Sequence, residues 1–163
     1  MGKFHTFRND DVSVTSDWRL LEQAHRLIRN AGKRHVIAVL MERLWDAKEV
    51  WFWLMDHADE IEIGLHGWQH HDYSLRAIDD IHDDIRKSLD LWNNHRKAYP
   101  AAKPLTMFYP PWNRVGQPLI DACAANGLTV DAAWKGSSGV YGFHSWELMS
   151  GKRLAKLNEA LYT

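Results

Sequence analysis

The chain has a single cysteine, Cys123, among 163 residues. One thiol forms no internal disulfide and builds no cysteine-rich zinc module. Set among alanines on a helical stretch, Cys123 reads as a small core residue. Proline is scarce, at five, and no Pro-, Ser- or Gly-rich stretch interrupts the pattern. One domain over residues 1–163 is therefore expected. An excess of charge is lacking too: 20 Lys and Arg face 21 Asp and Glu, a formal net charge of -1. With no basic stripe, nucleic acid is not an expected partner. No apolar run approaches the ~20 residues a membrane span needs. The start, Met1-Gly2-Lys3-Phe4-His5, has none of the marks of a secretory signal, so a cytoplasmic protein is expected. Met1-Gly2 with Thr6 fits the loose myristoylation pattern, but Lys3–Arg8 is read instead as the opening of the first strand. No Gly-x-Gly-x-x-Gly or P-loop follows any predicted strand, which speaks against a nucleotide site.

What the chain has in plenty is tryptophan, at nine, and histidine, at ten. Both point to an aromatic, imidazole-rich cleft. The hydrophobic period alternates along the chain. After the first strand comes the polar cluster Asn9-Asp10-Asp11; Ser16 then caps a helix through Leu21, Ala24 and Ile28 that stops at Gly32. Arg34–Met41 is a continuous apolar run, as in a strand buried on both faces. Asp46–Ala58 reads as helix and Glu60–Leu65 as strand. Ser74 caps a long helix with the stripe Ile78, Ile81, Ile85, Leu89 and Trp92. That stripe sends the acidic run Asp79–Asp84 to the solvent side, where Asp83 can pair with Lys87. The strand Leu105–Tyr109, the helix Pro118–Ala125, the short strands Leu128–Ala133 and Val140–His144 and the helix Leu154–Tyr162 complete the series. Strand alternating with helix predicts an α/β fold with a parallel sheet, either open or closed as a barrel.

In such folds the chemistry gathers at the carboxyl ends of the strands. Those ends carry Asp10-Asp11, His66 to His70, Pro110-Pro111-Trp112, Asp131 and His144. If the chain turns into helix after Leu65, His66 and His70 lie on one face and both reach one metal ion. His71 would then point about 140° away from His66 at about 100° per residue. The spacer holds no Glu, so a general base must come from elsewhere. Adjacent Asp10 and Asp11 repel each other unless something offsets the charge. A divalent cation on one of them would do so, leaving the other free to take a proton from the attacking water. Taken alone, the His pair is more often structural or at the surface, and the Asp pair more often a solvated turn or a helix-entry acid; together they point to a metal site of one Asp and two His.

The order of the motifs resembles the polysaccharide deacetylase (NodB-homology, carbohydrate esterase family 4) domain. Phe7-Arg8-Asn9-Asp10-Asp11 is similar to the family's TFDD, and His66-Gly67-Trp68-Gln69-His70 to its HSxxH or HTxxH. Phe108-Tyr109-Pro110-Pro111-Trp112 is similar to RxPY, Asp131-Ala132-Ala133-Trp134 to DxxDW, and Gly142-Phe143-His144 to LxLH. The resemblance implies a distorted, incomplete (β/α) barrel that removes N-acetyl groups from a sugar or glycan. It also implies one divalent ion, Zn2+ or else Co2+, Ni2+ or Mn2+. Asp10 would be the general base, and Asp11, His66 and His70 the metal ligands. The backbone N–H of Trp112 would hold the oxyanion, and His144, oriented by Asp131, would be the general acid. Trp134 would wall the acetyl pocket, with Trp68, Tyr109 and Pro111 also meeting substrate.

The chain departs from these motifs in places. Tyr109 replaces the arginine that tethers the base, leaving Arg8 and Arg114 as the nearest substitutes in sequence. Gly67 replaces a Ser or Thr, Trp112 a Tyr, and Ala133 the second acid of DxxDW. Two other readings therefore stand beside the deacetylase. One is a carbohydrate-binding protein that has lost turnover; the other is a metal-dependent hydrolase of a different amide or ester.

Overall fold

A computed structural model describes residues 4–134, 139–149 and 151–162. The expected features at Met1 to Lys3 lie outside the described residues. Among the described residues six strands alternate with five helices: β1 (Thr6–Val12), α1 (Trp18–Asn30), β2 (Arg34–Leu40), α2 (Lys48–Asp56), β3 (Glu62–Gly67) and α3 (Ile78–Arg96). After them come β4 (Met107–Phe108), α4 (Gln117–Ala125), β5 (Thr129–Val130), β6 (Val140–His144) and α5 (Gly151–Tyr162). The strands form one sheet in the order β5-β4-β3-β2-β1-β6, and every pairing is parallel. Among the described residues β5 and β6 are thus the two edges of the sheet, with no ladder closing it into a full barrel. The expected incomplete barrel is what forms.

The two faces of the sheet differ in kind. Phe7, Ile37, Val39, Leu65, Phe108 and Phe143 lie in the main core with the apolar stripes of the helices. Val36, Ala38 and Tyr109 make a second, smaller cluster on the other face. Burial of the first set, at roughly 25 cal/mol per Å2 of apolar area, is the main drive that folds helices onto one side. The second face keeps its polar side chains, Arg8 and Asp10 among them.

Several local expectations are corrected. Asp17, not Ser16, caps α1, accepting the Arg19 N–H at 2.9 Å. Ser16 Oγ instead bonds Ser145 Oγ at 2.9 Å, tying the loop after β1 to the one after β6. Ser74 lies in a short 3-10 turn, and Ala77 is the residue before α3. Asp84 is buried rather than solvated, because the stripe of α3 that packs inward includes Ile81, Asp84, Ile85, Ser88 and Trp92. Its carboxylate accepts from Tyr73 Oη at 3.0 Å, Arg76 Nη1 at 2.5 Å and Lys87 Nζ at 2.6 Å. Lys87 therefore pairs with Asp84, not Asp83. The two-residue strands β4 and β5 are shorter than their apolar runs, since only Met107–Phe108 and Thr129–Val130 find ladder partners at that edge.

Candidate functional site

Adjacent residues of a strand point to opposite faces, yet Asp10 and Asp11 both reach the mouth of the barrel. A bulge accounts for this. Asn9 pairs with Ile37 and Val12 with Val39, so two residues of β1 oppose one of β2. Asp11 takes up the extra length at φ +64°, in the left-handed region that Asp tolerates better than most residues. β3 has a matching irregularity at His66, between the pairs Leu65–Val39 and Gly67–Leu40. The expected helix after Leu65 does not form: His66 is still in β3, and His70 follows in a bent loop. Gly67 makes the bend at φ +119°. Backbone bonds then pin the loop, from the Met41 N–H to the Gly67 carbonyl at 3.0 Å and from the Glu42 N–H to the Trp68 carbonyl at 2.9 Å.

These bends bring Asp11, His66 and His70 together, with ligand atoms all within 4.8 Å of one another. Among the described residues no other group of three does this. His66 Nε2 and His70 Nε2 lie 3.1 and 3.2 Å from Asp11 Oδ1. His66 Nδ1 donates its proton to the Tyr109 carbonyl at 2.5 Å, which leaves Nε2 as a lone pair. Two buried acceptors, His66 Nε2 and Asp11 Oδ1, thus face each other, and neither has a hydrogen-bond partner among the described residues. Near as they are, they lack the alignment of a hydrogen bond. A cation between them resolves the conflict, and the oxygen-and-imidazole set suits a divalent metal. Burial raises the Asp11 pKa, and protons on the facing nitrogens of His144, His66 and His70 would lower it far below the usual carboxylate range; where His66 turns a lone pair inward instead, a cation supplies that positive charge.

Asp10 is buried and bound by Arg8 through both oxygens, Nε to Oδ1 at 2.9 Å and Nη2 to Oδ2 at 3.0 Å. Arg114, the other nearby arginine, pairs with Asp72 instead. His144 is the register partner of Asp10, and its Nδ1 lies 2.8 Å from Asp11 Oδ2. Trp112 and the following Asn113 are both left-handed, at φ +52° and +55°. The Asn113 N–H, bonded to the Pro110 carbonyl at 2.9 Å, holds this turn closed over buried Pro111. The Trp112 ring meets His70 edge-on at 4.3 Å, and Trp134 lies 5.2 Å from His144.

Three expected residues stand elsewhere. Asp131 makes no contact with His144: the stretch after β5 comes back to β6 through Trp134, while the Asp131 carboxylate turns onto its own loop. Its carboxylate accepts the Ala133 N–H at 2.8 Å, and the carboxylate beside His144 is that of Asp11. Trp68 turns toward α3, where Lys87 Nζ sits 4.6 Å from its ring. Tyr109 is buried, with its Oη donating to Glu62 at 2.7 Å.

One residue near the site is not marked by any of the motifs. Trp146 stacks on His144 at 5.6 Å and 14° and donates its indole N–H to Asp11 Oδ2 at 3.2 Å. An aromatic two residues beyond a strand-end histidine is the signal the sequence offers for it. Trp146 also lines a 470 Å3 cavity with Asp11, His70, Ser13, Ser16 and Ser145. A larger hollow of 760 Å3 opens at the amino-terminal ends of β2 and β3, beside Arg34 and Glu62, away from the Asp–His cluster.

No family model matches the chain, and no curated relative does. Solved structures do. A family 4 carbohydrate esterase from Streptomyces lividans, in complex with acetate, superposes with a TM-score of 0.72 at 14% identity, over 98% of this chain and 86% of that one. The peptidoglycan deacetylase PdaC from Bacillus subtilis matches with a TM-score of 0.69 at 14% identity, over 99% and 86%. BA3943 from Bacillus anthracis, a CE4 family pseudoenzyme, matches with a TM-score of 0.67 at 12% identity, over 99% of this chain and 63% of that one. The chain has the fold of these proteins. Among its described residues no helix is long and apolar enough to cross a membrane.

Proposed function

We propose that the chain is a metal-dependent hydrolase that removes N-acetyl groups from a sugar or glycan, with residues 1–163 forming one catalytic domain. The observation that carries this reading is the pair of buried acceptors, His66 Nε2 and Asp11 Oδ1, facing each other beside an Arg-bound Asp10. Asp11, His66 and His70 would hold one divalent ion, Zn2+ before Co2+, Ni2+ or Mn2+, which when bound polarises the acyl carbonyl and lowers the pKa of the attacking water. Asp10 accepts the proton of that water, since the arginine fork leaves part of its lone-pair capacity open. The strained turn at Trp112 offers a backbone N–H to the oxyanion. His144 gives a proton to the leaving nitrogen as the C–N bond breaks, yielding acetate and a free amine. Trp134 and Trp146, packed beside and on His144, close the acetyl pocket and exclude water. Asp131 serves indirectly, by shaping the turn that carries Trp134.

The fold neighbours support the substrate class: one is a peptidoglycan deacetylase and another binds acetate. The existence of a pseudoenzyme on this fold keeps binding without turnover as the rival reading, and Tyr109 and Gly67 at the motif positions are what favour it. Assay of released acetate over a panel of N-acetylated amino sugars, acetylated peptides and acetyl esters decides the matter. Release from the amino sugars alone is expected. Release from peptides or esters alone would move the chain to another hydrolase class, and no release with sugar binding retained would favour the rival.

A further inference from the structure

The arginine missing from position 109 has a counterpart on another strand. Arg8 is 1% exposed, and a guanidinium so buried must place all five of its N–H groups. Each of its three nitrogens has an acceptor. Nε and Nη2 hold the two oxygens of Asp10, and Nη2 also reaches Asn113 Oδ1 at 2.6 Å. Nη1 reaches the carbonyls of Ala133 at 2.6 Å and Asp131 at 3.4 Å. Its Cζ lies 4.7 Å from the Trp134 ring and 5.0 Å from the Tyr109 ring. Two glycines leave room for those rings: a Cβ at Gly64 would collide with Tyr109, and one at Gly142 with Trp134. Gly142 is the register partner of Arg8. An arginine at 109 would set a second cation against Arg8, so an aromatic ring there and a charge on β1 belong together.

We propose that Arg8 is the positioning residue of the site, acting through one guanidinium on three segments that meet at the mouth of the barrel. It fixes the Asp10 base, the Trp112–Asn113 turn that presents the oxyanion donor, and the 131–134 stretch that carries Trp134. The proposal rests on the deacetylase reading for its kinetic consequence and on the hydrogen bonds alone for its geometry. A lysine keeps the charge but has neither the fork nor the five donors. The role concerns orientation, so its loss appears in kcat rather than in KM.

The test compares Arg8→Lys, Arg8→Gln and the double variant Arg8→Gln/Tyr109→Arg, all Zn2+-loaded, by acetate release from an N-acetylated amino-sugar substrate. Expected for Arg8→Lys are unchanged metal content, KM within about threefold and kcat lower by at least about tenfold, since small misplacements of reacting groups cost that much or more. The double variant, with an arginine returned to the end of β4, should recover several-fold in kcat over Arg8→Gln. A kcat for Arg8→Lys within twofold of wild type at equal metal content overturns the proposal. So does a double variant that folds and binds metal but shows no recovery. If the single variants do not fold, the double variant decides alone: acetate release from folded, metal-loaded protein is expected, and its absence overturns the proposal. A wild-type protein that releases no acetate refutes the deacetylase reading instead. The clamp is then judged by the 15N resonance of the Arg8 Nε–H, which should move in both Asp10→Asn and Asn113→Ala; an unmoved signal overturns it.

Discussion

Restoring the serine of the resembling motif, Gly67→Ser, should damage this protein. Gly67 sits at φ +119°, far outside the conformations that a residue with a Cβ adopts readily. A Cβ there would lie 2.6 Å from Tyr73 Oη, 2.7 Å from Tyr73 Cε2 and 2.9 Å from the Gln69 carbonyl. Tyr73 cannot swing away freely, because its hydroxyl accepts the Trp68 N–H at 3.0 Å and donates to buried Asp84 at 3.0 Å. Backbone strain of about 1–3 kcal/mol adds to an overpacking cost of about 1–3 kcal/mol. The sum, roughly 2–6 kcal/mol, corresponds to a fall in Tm of roughly 5–20 °C for a chain of this size. The bend also delivers His70 to Asp11, so metal affinity should fall with stability. Thermal unfolding of the metal-free proteins, followed by Zn2+ titration, measures both. A Gly67→Ser protein within about 2 °C of wild type, less than the smallest shift expected for such a strain, with unchanged Zn2+ affinity would refute the reasoning.

The two aspartates should separate by variant. Asp10→Asn keeps its metal and loses roughly 10²–10⁴-fold in kcat, as for a lost general base; Asp11→Asn loses metal first, and excess Zn2+ restores part of the activity. Elemental analysis beside kcat reads the difference, and the reverse pattern would exchange their roles. A second effect depends on pH. Burial, then the neighbouring His25 and His57, push the His35 pKa down to about 3. Between that value and about 6.5 the unfolded chain binds a proton that the folded chain refuses. Stability is therefore full above the unfolded value and is lost as pH falls toward 3, by up to about 1.4 kcal/mol per pH unit. Urea unfolding of chelator-treated protein between pH 4 and 7 should show that slope in wild type and a shallower one in His35→Asn; equal slopes would assign it to other groups.

The regular part of this fold is legible in the chain because burial writes a period into it. β6 has the expected bounds, and β2 differs from expectation only at Met41. What period cannot show is a break in period. The bulges at Asp11 and His66 put three functional residues where alternation or a helix would not have put them. The His66–His70 spacing points to the right pair through a helix that does not exist; a glycine bend supplies the same proximity. Asp84 and Arg8 are charges whose burial depends on partners beyond their own strand or helix, Tyr73 and Arg76 for one and Asn113 and Ala133 for the other. No local pattern marks such partners. The order of motifs ties Asp131 to His144, but it is Trp134 of that stretch that reaches His144, and the Asp131 carboxylate is taken by the Ala133 N–H.

Every chemical role above depends on the ion that would sit between Asp11, His66 and His70. Elemental analysis of Zn2+-loaded, desalted wild type should find about one ion per chain, and the same in His71→Ala, whose ring lies against Tyr73. His66→Ala and His70→Ala should lose it. Full metal content in folded His66→Ala would contradict the site as drawn.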